Sequence, residues 1–179
     1  MLGAALTRSL TKGALVALFC CLAPVVSGVS IGLTPALAAS TGSPSENVAG
    51  PTVPLVIETA AGKSHTFDIE RAITMEQRSR GLMHRETMAP DHGMLFDFGE
   101  ARLVTMWMEN TPLSLDMIFA DEKGRIVRIA ERTEPFSQAI VSSGAPVLYV
   151  LEINGGRARE LGIAEGDRLA VEALEEVAQ

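Results

Sequence analysis

Residues 113–130 read LSLDMIFADEKGRIVRIA, two apolar runs joined by Asp121-Glu-Lys-Gly124. In the first run Leu113, Leu115, Met117 and Phe119 share one parity, while Asp116, Ile118 and Ala120 share the other. A period of two places successive side chains on opposite faces of a strand and is foreign to a helix. Asp and Gly in the joint supply turn conformations that most residues resist, so the segment is expected to be a β-hairpin.

The same grammar continues on both sides. Short apolar runs at 55–59, 64–69, 94–98, 103–108, 147–153 and 168–172 are separated by turn chemistry, including Ala61-Gly62-Lys63, Asn110-Thr111-Pro112 and Glu165-Gly166-Asp167. With 113–120 and 125–130 they give eight expected strands, a spacing typical of sandwiches and barrels. Thr74 and Gln77 form a capping-box signature that opens a helix over 75–83. Gly155-Gly156 precede a second helix over 157–161, with Gly162 as its stop. The expected class is therefore mainly β: a compact β-barrel or jelly-roll-like sandwich of about eight strands with two short helices.

Towards the N-terminus the pattern ends in Ser, Gly, Pro and Ala, and residues 39–54 read as a flexible linker. Before it, a short cationic stretch with Arg8 and Lys12 is followed by an uncharged apolar run and by Ala36-Leu37-Ala38. Residues 1–38 are expected to be a secretory signal peptide cleaved after Ala38, placing the mature chain in the periplasm or outside the cell. An uncleaved segment would instead anchor the protein to the membrane, but Pro24, Ser27, Gly28 and Ser30 weaken a lipid-facing helix. Bulky Phe19 before Cys20 opposes lipoprotein processing. A single β-domain is expected over 55–174, with a short tail at 175–179.

Charge and composition remove several function classes. Arg8 and Lys12 are two of 15 basic residues, so 13 face 22 acidic ones beyond the leader, and the whole chain carries −7. Binding to nucleic acid by counterion release needs clustered cations, and stacking of single-stranded bases needs more than one Trp and one Tyr. No nucleic-acid partner is expected. Both cysteines, Cys20 and Cys21, lie in the leader, which excludes thiolate chemistry and disulfides from the mature domain. No GxSxG, P-loop or zinc motif is present. Seven of eight methionines fall between Met75 and Met117, with His84 and His92 nearby. Thioether and imidazole suit copper. The spacing is irregular and the neighbours are apolar, so core packing is expected, with neither metal nor cofactor.

Two acids remain to be explained. Asp116 shares its strand face with Ile118 and Ala120, and Glu152 shares its own with Leu148 and Val150. Partial burial demands a partner, for which Arg78 and Arg85 are the natural candidates. Asp116, five residues past Thr111, is expected at a pocket mouth, and mid-strand Glu152 is expected to be structural. Trp107, Asn110 and Thr111 form a second cluster where a strand meets a turn, an apolar plate with hydrogen-bonding groups beside it.

The motifs RSRGLMHR (78–85), GMLF (93–96), MWMENT (106–111), Leu115-Asp116 and Ile118-Phe119 resemble the domain of unknown function 192 family. GRIV (124–127), PFS (135–137), YVLE (149–152) and LGIAEGD (161–167) agree in order and spacing, so that the likeness spans residues 56–174. Pro112 directly after Thr111, and His84 where an aromatic is common, depart from the family pattern. The resemblance implies a compact exported β-domain and no particular activity. Combined with the residues above, it leads to the expectation of a binding or accessory module for a small polar or glycan-like ligand, with Arg78, Arg85, Trp107, Asn110, Thr111, Asp116 and Glu152 as its site. Two alternatives stay open: a carboxylate-dependent glycan hydrolase using Asp116 and Glu152 as acid and base, and a purely structural or protein-interaction module.

Overall fold

The expected hairpin is present as β4 (Leu115–Ala120) paired antiparallel with β5 (Ile126–Ala130). Asp121 organises the turn between them, its carboxylate accepting the Lys123 and Arg125 amides at 2.9 Å. The computed structural model describes residues 50–172, and the leader, its cleavage site, most of the linker and the tail lie outside the described residues. Around the hairpin stand β1 (Thr52–Glu58), β2 (Ser64–Ala72), β3 (His92–Met106), β6 (Val141–Asn154) and β7 (Arg168–Leu169).

These strands form one sheet in the order β5-β4-β6-β3-β2-β1-β7. Its two ends meet: Arg125 bridges Arg168, the Ile126 amide donates to the Asp167 carbonyl and the Leu169 amide to the Gly124 carbonyl, both at 2.8 Å. The sheet is thus a nearly closed barrel, which leaves few unpaired edges to solvent. Every named pair is antiparallel except β2–β3, where a parallel register from Asp68↔His92 to Ala72↔Phe96 requires a crossover. Residues 73–91 supply it and contain α1 (Met75–Arg80), opened by the Thr74/Gln77 capping box as the sequence indicates. The helix stops at Gly81, short of residue 83, because Gly81 turns to φ 48°. The second helix, α2 (Arg157–Leu161), has the expected bounds and ends on left-handed Gly162.

Seven strands replace the eight expected ones. The runs at 94–98 and 103–108 are two halves of β3, joined through a bulge at Gly99, whose φ of 76° changes the register with β6 between Asp97 and Arg102. A glycine in a polar stretch marks a turn in sequence, yet here it bends a continuing strand. The inward residues of all seven strands, among them Leu55, Phe67, Leu95, Ile118, Ile126, Leu151 and Leu169, fill the barrel. A second cluster covers the outer face of β3, β6 and β4: Met94, Phe96, Leu115, Met117, Phe119 and Val150, roofed by Leu82 from the crossover and by Met108. That part of the sheet is apolar on both sides, which is why all six residues of β4 are buried.

Candidate functional site

Parity along β6 puts Tyr149, Leu151 and Ile153 into the barrel and Val150 into the outer cluster. Glu152 therefore faces outward, beneath the crossover, with Met94 and Met117 as its cross-strand neighbours. It is only 4% exposed, and no hydrogen bond or ion pair joins its carboxyl to any described residue. Burial alone pushes its carboxyl up to about 8, so the group is mostly protonated at neutral pH.

Glu152 lies in the wall of a cavity of about 270 Å³, near the small end of ligand-pocket sizes. The apolar lining comes from Leu82 and Met83 of the crossover, Phe96, Phe98 and Met106 of β3, and Trp107 just beyond it. Trp107 is half-exposed at 52%, so part of the indole faces solvent. Arg78, Arg80 and Arg102 line the same cavity, with Glu109 and Thr111. The guanidinium of Arg78 donates to the carbonyls of Ile73 and Asp97, the latter at 2.7 Å. Arg78 and Arg102 lie 5.4 and 5.1 Å from the centroid of the Phe98 ring, at cation–π distance.

Four of the seven expected site residues are thus brought together: Arg78, Trp107, Thr111 and Glu152. Thr111 is buried and its hydroxyl donates to the Glu109 carbonyl at 3.1 Å. Asn110 takes a left-handed turn at φ 54°, its carbonyl accepting the His84 amide at 2.7 Å, and does not line the cavity. Arg85 is buried against Glu70, which it meets through both Nη atoms, and lines an adjoining cavity of about 440 Å³ that shares Arg80, Gly81 and Met83 with the first. Burial raises the Glu70 carboxyl, but Arg85, the Gly50 amide and His92 outweigh that and leave it below its ordinary value.

The expected pairing of Arg78 and Arg85 with Asp116 and Glu152 is corrected by these contacts, and so is the expectation that Asp116 stands at a pocket mouth. Asp116 is fully buried on the barrel side, where Oδ1 accepts the Arg132 and Gly156 amides at 2.8 Å and Oδ2 accepts the Ala158 amide at 2.9 Å. It holds the start of α2, and its partners are peptide N–H groups from segments far along the chain, which no spacing reveals. Its register partner is Ile153, whereas that of Met117 is Glu152, so the two carboxyls project from opposite faces of the sheet. They cannot flank one glycosidic bond, and the acid and base pair of the hydrolase alternative is not assembled. Arg80, Arg102 and Glu109 also line the cavity and are not among the expected site residues. Glu109 lies inside the MWMENT motif and could have been read with its neighbours, but Arg102 falls in what seemed a loop between strands.

Comparison with known proteins agrees with this architecture. The family model for DUF192, described as uncharacterized ACR, matches residues 56–171. The chain belongs to that family. No curated protein matches. A solved structure from Sinorhizobium meliloti 1021, described as a "putative transcription regulator", is 50% identical with a TM-score of 0.66, covering 68% of this chain and 95% of its own. A protein of unknown function from Novosphingobium aromaticivorans DSM 12444 is 36% identical with a TM-score of 0.64, covering 66% and 84%.

Proposed function

We propose that this DUF192 domain is an exported binding module of the cell envelope that takes a small polar or glycan-like ligand in the cavity beside Glu152. The observation that carries this reading is the carboxyl itself. Burying an acid without a partner costs several kcal/mol, and the fold gains no contact from it that an aliphatic residue would not supply. Groups kept at such cost concentrate at functional sites. A half-exposed indole at the mouth offers a flat apolar surface to a ring, and a protonated carboxyl can donate to an acceptor oxygen. The transcriptional role in the description of the S. meliloti protein is not carried over, since a net charge of −7 opposes a duplex-binding surface.

Trp107 is the single tryptophan of the chain, so its emission reports on this cavity alone. Titration with a panel of envelope monosaccharides and short glycans should give a saturable change that Glu152→Leu abolishes. Saturable binding that persists in that variant would remove Glu152 from the site. Export is tested separately: the mature N-terminus should be Ala39 by mass spectrometry, and a membrane fraction holding only full-length protein would contradict it.

A further inference from the structure

We propose that the ligand of this cavity is an organic anion with an apolar body, its charged group held at the mouth by Arg80 and Arg102; this rests on the cavity being a binding site. Three of the chain's 15 basic residues converge on one cavity of a protein whose net charge is −7. Arg78 is committed to two backbone carbonyls, but the guanidinium groups of Arg80 and Arg102 make no hydrogen bond or ion pair with any described residue. Arg78 and Arg102 both lie against the Phe98 ring, at 5.4 and 5.1 Å from its centroid, and no carboxylate is bonded to either. An anion at this mouth gains charge-assisted hydrogen bonds from guanidinium groups that no carboxylate already holds. Glu109 is the one further acid in the lining, and beside three arginines it leaves the mouth cationic. A cationic ligand would be repelled, and a neutral one would leave both unengaged guanidinium groups unused. Below the mouth, Leu82, Met83, Phe96 and Met106 demand an apolar body. Glu152, protonated through burial, then meets an acceptor oxygen at the far end of that body.

Carboxylates and phosphate monoesters share the chemistry that two arginines recognise, and one matched series separates them. Glucuronate, glucose 6-phosphate, glucose and glucosamine, with cyclohexanecarboxylate and cyclohexanol as a second body, are titrated while the Trp107 indole signal is followed by NMR. At least one anion should bind about tenfold or more tighter than its neutral counterpart, with glucosamine weakest. Arg80→Gln and Arg102→Gln should each erase most of that preference for the anion over its neutral counterpart. Arg159→Gln, on the exposed Arg159–Glu131 pair, should change nothing. Equal binding of neutral and anionic probes would overturn the anion proposal and leave the binding site standing. No saturable shift with any probe would overturn both.

Discussion

A carboxyl whose folded value is raised from 4.5 to about 8 is a stability statement as well as a chemical one. Below about 4.5 Glu152 is protonated in both folded and unfolded chains, and its stabilising share is complete. Between about 4.5 and 8 only the folded chain keeps the proton, so that share is lost as pH rises, by roughly 5 kcal/mol at most at 1.36 kcal/mol per unit. Glu152→Gln removes the titration. Thermal melts from pH 5 to 9 should show the variant gaining on the wild type as pH rises; parallel curves would mean that Glu152 is ionised in the fold. Asp116→Asn turns an acceptor into a donor facing peptide N–H groups and should cost about 3 kcal/mol. A denaturant melt within 1 kcal/mol of wild type would contradict its role at α2. Trp107→Ala, at a half-exposed position, should cost about 1 kcal/mol or less in the same assay.

At the scale of elements, the seam of the barrel depends on one glycine. A Cβ on Gly124 would stand 2.1 Å from the Leu169 carbonyl oxygen, and its φ of 74° is strained for any other residue. Gly124→Ala should therefore destabilise the fold by on the order of 3 kcal/mol or more, with amides of β5 and β7 losing protection from hydrogen exchange first. Most elements were legible in sequence because each rests on a local rule: period-two alternation for the hairpin, a capping box for α1, a glycine stop for α2. β3 was not, since Gly99 and the polar residues around it look like a turn, and only pairing with β6 shows that the strand continues. The site was half legible for the same reason. Trp107 and Thr111 lie in one short motif and Arg78 in another, but the cavity exists because the crossover lies over β3 and β6. Arg85 and Asp116 were misplaced because their polar partners, Glu70 for the one and the amides of residues 132, 156 and 158 for the other, are distant in sequence.

The described domain is a barrel with an additional apolar cluster on one outer face, and the cavity lies against that face. A barrel interior alone would stabilise the sheet. The outer cluster is what allows an acid to be withdrawn from water without entering the barrel, and it places that acid between Met94 and Met117 under arginines that enter from the crossover and from β3. Glu152 is thus the neutral, unpartnered acid of the cavity in which we propose that a ligand binds, and its protonation state underlies that proposal. Its most direct test is a carboxyl-carbon NMR titration of the domain with glutamate labelled, from pH 3 to 10, beside Glu152→Gln. One glutamate should titrate near pH 8 and be missing from the variant. If every glutamate titrates between about 3 and 5, as exposed or ion-paired carboxylates do, Glu152 is charged in the fold and the site as described does not exist.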